Sequence, residues 1–218
     1  MLNSPSAVIF DMDGTLVAST ELDFLAWQKL FKEYGVNISF KHYYPLIGMK
    51  SADMVFHFLK LEGIKANYAL TKKMEYFDEL LNLNGIKVYP NAENLLNYFR
   101  EKSIPLALAT SSRKRKMRRV MHETGFEQYF KVFITGEDVE NGKPKPDMFL
   151  LAAQRLSVLP AKCLVFEDAI SGVHAAKAAG MKCVAITNTH PENDLSMADL
   201  IINDFGQISE TVISNLFS

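Results

Sequence analysis

The sequence predicts an α/β fold, a parallel sheet that carries a small α-helical domain inserted after its first strand. Three observations lead there. Short apolar runs rich in branched residues recur through the second part of the chain, separated by helical patterns of roughly 10–15 residues, an alternation that requires right-handed crossovers and a parallel sheet. The first such run, Ala7 to Phe10, is too short for a helix and stops at Asp11, so it reads as a buried strand. After Leu16 come about seventy residues whose apolar positions recur only at helical spacing, with no convincing strand among them.

In that helical stretch Leu22, Leu25, Ala26, Leu30 and Phe31 form one stripe. Val55, Phe56 and Leu59 form a second, and Met74, Phe77, Leu80 and Leu81 a third. Gly35, Pro45, Gly48, Gly63 and Gly85 divide the stretch into helices of the length a small bundle requires, which sets the insert at 18–87 and the core at 1–17 and 88–218. From Val88-Tyr89-Pro90 onward, a helix near 91–102 precedes the apolar run Ile104 to Ala109, and a helix from about Arg113 to Thr124 precedes Val132 to Ile134. A helix from about Pro146 to Leu156 leads to the strand Cys163 to Phe166, and one from 170 to 179, closed by Gly180, leads to Cys183 to Ile186. Leu200 to Ile202 and a last helix near 206–216 finish the chain, which contains no internal repeat or low-complexity tract.

The composition excludes several classes of protein. With 48% hydrophobic and 22% charged residues, the 218-residue chain can bury a sizeable core and is not disordered. A formal net charge of −1 gives no global reason to expect nucleic acid or a membrane surface as partner. The N-terminal segment has no basic stretch leading into a long apolar core, and no later run reaches the roughly 18 apolar residues of a spanning helix, so the expected location is cytoplasmic. Cys163 and Cys183 lie in separate apolar segments and read as buried free thiols, with no thiolate pattern for a metal. A monomer is expected, because no coiled-coil stripe or spare apolar face stands out.

A sheet of this kind places its ligand site at the carboxyl ends of the strands, near the switch in strand order. Each strand should therefore end in something with chemical use. The first ends in Asp11, with Asp13 two residues on and able to face the same way, and Gly14 free to turn the chain beside them. Such a pair can hold a hard cation through oxygen or divide nucleophilic and proton-transfer roles; it also fits a plain Asx-type turn. The Ile104 to Ala109 run ends in Thr110-Ser111-Ser112, whose hydroxyls and free amides at a helix start form an anion site or a simple N-cap. The Cys163 to Phe166 run ends in Glu167-Asp168. Asn141 to Asp147 contains two prolines that stiffen the segment around Lys143 and set Pro146 to begin a helix.

Phe10-Asp11-Met12-Asp13-Gly14-Thr15-Leu16 resembles the opening motif of the haloacid dehalogenase superfamily, whose members mostly transfer phosphoryl groups through an aspartyl-phosphate. The resemblance implies a Rossmann-like core with an α-helical cap, Asp11 as nucleophile and Asp13 as general acid/base. Thr110 matches the second motif, with Ser111 lending its amide, and Lys143 matches the lysine that meets the phosphoryl oxygens. Glu167-Asp168 matches the acidic fourth motif, which implies Mg2+ bound by the Asp11 carboxylate, the Asp13 backbone carbonyl and Asp168, with Glu167 either a ligand or a group that orients one. The sequence from Glu167 to Val173 is similar in particular to the branch of β-phosphoglucomutase and sugar-phosphate phosphatases.

Departures from the mutase pattern bear on the reaction. Asp23 stands where the mutase has a histidine, Ala18 where the branch often has an acid, and Ser51 where an arginine grips a second phosphate, with Lys50 the near substitute. Lys72 matches a cap lysine by ungapped reading back from Val88-Tyr89-Pro90. Ser19, Asp23, Lys50 and Lys72 are therefore the expected substrate-choosing residues, and the preferred reading is a phosphatase acting on a small phosphorylated metabolite. A β-phosphoglucomutase-type phosphohexomutase is the alternative, and a non-catalytic binding protein on the same fold comes third. The basic run 113–119, six cations in seven residues, reads as a solvated helix face rather than a nucleic-acid surface, with Arg113 and Lys114 placed to draw in an anionic substrate.

Overall fold

The computed structural model describes residues 4–218; residues 1–3, with which the expected core segment begins, lie outside the described residues. The strands are β1 (Ala7–Phe10), β2 (Leu106–Thr110), β3 (Val132–Thr135), β4 (Cys163–Glu167), β5 (Lys182–Ile186) and β6 (Leu200–Ile202). They form one parallel sheet in the order β3-β2-β1-β4-β5-β6. β1 lies at the switch in that order, with Val8 opposite Leu106 on one side and Leu164 on the other. The carboxyl ends of β1, β2 and β4 therefore share one crevice.

The residues of β1 are all buried, as a strand covered on both faces requires. Val8 and Phe10 face one way with Leu108, Phe166 and Val184, against α5 (Ala92–Glu101), α6 (Lys114–Thr124) and α9 (Glu210–Leu216). The Phe10 and Phe166 rings stack at 4.8 Å across neighbouring strands. Ala7 and Ile9 face the other way with Ala107, Ala109 and Ala185, small side chains that let α7 (Asp147–Leu156) and α8 (Ile170–Ala178) approach closely.

Between β1 and β2 lie the four helices of the insert, α1 (Thr20–Glu33), α2 (Phe40–Tyr43), α3 (Ser51–Leu59) and α4 (Gly63–Asn84). Trp27, Phe31, Val55 and Leu70 give them an apolar centre of their own. Ala26, Met74, Phe77 and Leu81, on α1 and α4, instead join the cluster on one face of the sheet, so the insert rests directly on the core. The chain leaves and re-enters the core side by side: the Ala18 amide donates to the Lys87 carbonyl (2.8 Å), and the Tyr89 amide to Leu16 (3.0 Å).

Two element boundaries differ from the sequence reading by two residues or more. β2 begins at Leu106 rather than Ile104, because the Ile104 amide is spent closing α5 on the Phe99 carbonyl (3.0 Å). The last helix begins at Glu210 rather than near 206: residues 205–207 form a separate 3-10 turn capped by Asp204, and Ser209 then caps α9 through the Val212 amide. Among the described residues no helix is long and apolar enough to cross a membrane.

Candidate active site

Asp11 lies one residue beyond β1 and is almost wholly buried. Lys143, on the proline-rich segment before α7, reaches back under the sheet end: its Nζ lies 2.6 Å from Asp11 Oδ1, 2.5 Å from Glu167 Oε1 and 3.3 Å from the Ala109 carbonyl. Glu167 closes β4, and its second oxygen accepts the Asp168 and Ala169 amides at 2.8 and 2.9 Å. Both of its oxygens are thus engaged by this chain. Asp168 accepts from Thr15 through Oδ1 (2.8 Å), while its Oδ2 is buried without a partner among the described residues. Two glycines make the cluster sterically possible. Gly14, at φ +84°, and Gly172 are positions where any Cβ would overlap the Asp168 and Glu167 carboxylates, respectively.

Three carboxylates and one ammonium in a buried site leave an excess of negative charge. Burial, with Glu167 and Asp168 adding to it and Lys143 opposing it, raises Asp11 well above the ordinary carboxylate range. Burial and Glu167 push Asp168 up to about 7. Burial alone would lower Lys143, but Asp11 and Glu167 outweigh it and raise the lysine, which stays charged. Oxygens of Asp11, Glu167 and Asp168 lie within 4.8 Å of one another. That donor set, with one orphaned carboxylate oxygen, fits a hard divalent cation.

Asp13 faces the same cavity, of about 40 Å³, as Asp11. Ser112 Oγ donates to its Oδ2 at 2.6 Å, Thr110 Oγ1 at 3.4 Å, and Ser19 Oγ to its Oδ1. Thr110 also receives the Ser112 amide (3.1 Å), which fixes the turn after β2. Ser19, expected to choose substrate, is fully buried and holds Asp13 instead.

On the insert side Asp23 is the centre. Its Oδ1 accepts from Lys73 and from Lys116 (2.8 Å), its Oδ2 from Trp27 Nε1 (3.1 Å) and the Tyr43 hydroxyl (3.2 Å). Lys116 is also 2.8 Å from Asp13 Oδ1, so one ammonium bridges an acid of the core and an acid of the insert. Burial would raise Asp23, but Lys116 and Lys73 hold it well below the carboxylate range. Burial lowers Lys73 despite Asp23, whereas Lys116, with Asp13 and Asp23 both beside it, is raised.

Besides Ser19, the structure corrects three expectations from the sequence, two on the insert and one on α6. Lys72 does not reach the cluster: it bonds Glu75 at 2.8 Å with its side chain 37% exposed, and Lys73, one residue on and about 100° round the helix, takes the inward place over Trp27. Lys50 is turned to the backbone: its Nζ donates to the Val139 and Glu140 carbonyls at 2.8 and 2.9 Å, just before the segment that carries Lys143. Lys116 is not part of a solvated face but 3% exposed, although its neighbours Arg113, Arg115 and Arg119 do stay at the surface on Glu137 and Asp78. Its signal was present in the helical spacing, since Lys116 lies one turn before the buried Val120 and beside Met117.

Residues 8–186 match the pattern of the haloacid dehalogenase-like hydrolase family. A phosphorylated carbohydrates phosphatase of Thermotoga maritima is 35% identical over 182 residues, 81% of this chain and 82% of that protein. Hexitol phosphatase A of Escherichia coli is 31% identical over 217 residues, 93% of each chain. The crystal structure of β-phosphoglucomutase from Clostridium difficile superposes with a TM-score of 0.88 over 98% of this chain and 97% of that one; at 24% identity the likeness speaks for the fold alone. Since the family pattern runs from β1 through β5 and takes in every acid gathered around Lys143, this chain belongs to the haloacid dehalogenase-like hydrolases.

Proposed function

We propose that this chain is a Mg2+-dependent phosphatase for a small phosphorylated metabolite, a sugar phosphate or a close relative, working through an aspartyl-phosphate on Asp11. The observation that carries the reading is the buried Asp11 carboxylate held by Lys143 at 2.6 Å, within the acidic cluster that includes the unpartnered Asp168 Oδ2. Asp11 and Asp168, with the backbone carbonyl of Asp13, would hold the ion, and Glu167, whose oxygens are both engaged, would orient Lys143 and the turn after β4. Bound there, Mg2+ supplies positive charge against the clustered acids and the phosphoryl oxygens.

In this mechanism Asp11 attacks phosphorus in line with the departing alkoxide. Lys143 neutralises phosphoryl charge as it develops, and Thr110 and the Ser111 amide donate to the same oxygens. Asp13, oriented by Ser112 and Ser19, protonates the leaving oxygen and then takes a proton from the water that cleaves the acyl phosphate. The insert 18–87 acts as a cap: Gly48 at φ +88° lies against Ser171 of the core, and Asp23 closes over Lys116, so that bulk water is kept out while the ester bond breaks.

The names of the relatives above 30% identity support hydrolysis over transfer between sugar hydroxyls. The reading also takes the protein to be a cytoplasmic monomer with no nucleic-acid or membrane partner. The deciding experiment is hydrolysis of p-nitrophenyl phosphate with Mg2+. We expect turnover that Asp11→Asn reduces by at least about a thousandfold, together with a covalent phosphoryl adduct on the wild-type chain trapped by rapid acid quench. Turnover that survives Asp11→Asn would overturn the assignment. Conversion of β-glucose 1-phosphate to glucose 6-phosphate with a bisphosphate primer would move the reaction to a mutase.

A further inference from the structure

A short segment of the insert, Ile47 to Lys50 ahead of α3, touches two core segments that deliver functional groups from beyond the strands. Toward the turn after β4, Ser171 Oγ donates to the Ile47 carbonyl at 3.2 Å, and a Cβ on Gly48 would overlap the Ser171 hydroxyl. Ala169, next to Asp168, is buried among the apolar side chains of the insert itself. Toward the segment before α7, Lys50 Nζ donates to the Val139 and Glu140 carbonyls at 2.8 and 2.9 Å. Lys143 follows Glu140 by three residues.

The stem of Lys50 is fitted as closely as its ammonium. The three atoms nearest to where a Cβ would stand on Gly142 all belong to Lys50: Cγ at 2.5 Å, Cδ at 2.6 Å and Cβ at 3.5 Å. The same Cγ would lie 3.5 Å from a Cβ on Gly136. Gly142 is not among the glycines at positive φ, so it is the Lys50 stem that excludes a side chain there. The residue immediately before Lys143 is thus kept bare for a lysine of the insert. Water could satisfy the two carbonyls; what a tethered lysine adds is order along the backbone that leads to Lys143.

That order has a use in the chemistry. Asp11 and Glu167 are fixed by the sheet, but the ammonium between them arrives on a segment that lies outside it. A misplacement of about 1 Å at a reacting centre can lower a rate about a hundredfold. We infer that Lys50 is a positioning residue for phosphoryl transfer: it fixes the segment 139–142 and through it the Lys143 ammonium, so that seating the insert also completes the phosphoryl site. The inference rests on the phosphatase reading and deepens it. Lys50 also lines a cavity beside the site with Ser111 and Arg113, so direct binding of substrate is the rival role.

Hydrolysis of p-nitrophenyl phosphate with Mg2+ separates the two roles, because this ester carries no second anion for Lys50 to bind. Lys50→Ala should lower kcat about tenfold and leave KM within about twofold. Lys50→Arg, whose guanidinium can meet both carbonyls, should recover most of the loss. Gly142→Ala should cost about as much in the wild type and nothing further on top of Lys50→Ala, where the stem it meets is gone. In Lys50→Ala, amide hydrogen exchange across 139–145 should quicken several-fold while that of β1 stays as in the wild type. A loss confined to KM would assign Lys50 to substrate binding and end the inference. Equal costs of Gly142→Ala with and without the Lys50 stem, or unchanged exchange across 139–145, would end it too. Absence of turnover by the wild type would be a failure of the phosphatase reading, and the exchange comparison would still decide whether Lys50 orders the segment.

Discussion

Lys143 and Lys116 are both buried ammonium groups shared between two carboxylates, and they differ in where those carboxylates come from. Lys143 joins Asp11 to Glu167, residues at the ends of adjacent parallel strands, so the sheet alone fixes their separation. Lys116 joins Asp13 to Asp23, and Asp23 lies on α1 with Lys73 of α4 behind it, so this cluster exists only while the insert is seated on the core. The first arrangement suits bond making, which requires reacting atoms held in fixed positions. The second would suit the proposed cap, since ion pairs that closed it could be exchanged with water on opening.

The largest effect should come from breaking the sheet-built cluster. Lys143→Met leaves Asp11 and Glu167 buried beside Asp168 with no ammonium among them. A buried pair that loses one partner costs about 3–5 kcal/mol, and urea unfolding in the presence of a chelator should show a loss of that size alongside loss of turnover. Added Mg2+ should recover part of the stability without recovering the activity. A loss under about 1 kcal/mol in chelator would mean that the lysine does not hold Asp11 and Glu167 in the folded chain.

The same cluster makes metal-free stability depend on pH. The folded chain keeps a proton on Asp168 up to about 7, whereas the ordinary value is 3.8, so between those limits the folded state binds more protons than the unfolded one. Stability from this group is therefore fully present at the acid end and lost as pH rises toward 7; the raised Asp11 adds in the same direction. Mg2+ at a hundred times its dissociation constant should restore about 2.7 kcal/mol near pH 7.5 and much less at pH 4.5. Asp168→Asn should flatten the metal-free profile. Equal Mg2+ stabilisation at both pH values would exclude these acids as the metal site.

Breaking the seam cluster should cost less. In Lys116→Met, Asp23 keeps Lys73, Trp27 and Tyr43, and Asp13 keeps Ser19 and Ser112. We expect a loss of about 1–2 kcal/mol, the scale of charged hydrogen bonds whose partners find others. The more telling readout is kinetic: kcat should fall several-fold while Lys116→Arg, which keeps the charge, recovers most of it. A stability loss as large as that of Lys143→Met would show that the two clusters are equally permanent parts of the fold, and the contrast between them would fail.

What could be read from the sequence follows the same division. Asp11, Thr110, Lys143, Glu167 and Asp168 stand at strand ends or on a proline-stiffened segment, where a polar residue after an apolar run has few structural reasons to be there. The parallel sheet and the helical insert were legible because both depend on apolar spacing within each element. The seam was not, because it depends on which elements meet. Lys116 and Asp23 are separated by 93 positions, and although helical spacing puts Lys116 on the apolar side of its run, it does not say that Asp23 and the Phe77 ring meet its ammonium there. Spacing alone also left open whether Glu167 binds a metal or orients its neighbours, and it is the pair of amides on its second oxygen that favours the orienting role.

Lys72 and Lys73 give the smallest effect and the sharpest control. They are adjacent, chemically identical and on the same helix, yet Lys73 is 5% exposed against Asp23 and the Trp27 ring while Lys72 pairs at the surface with Glu75. An exposed pair spaced three residues apart in a helix is screened by solvent, so Lys72→Ala should leave the melting temperature, kcat and KM within experimental scatter of wild type. Lys73→Ala removes a cation from a buried carboxylate and opens space beside Trp27, and should both lower the melting temperature and raise KM as the cap closes less completely. If instead Lys72→Ala reduced turnover as much as Lys73→Ala, α4 would have to be rotated by about one residue, and the assignment of the seam to Asp23, Lys73 and Lys116 would fall with it.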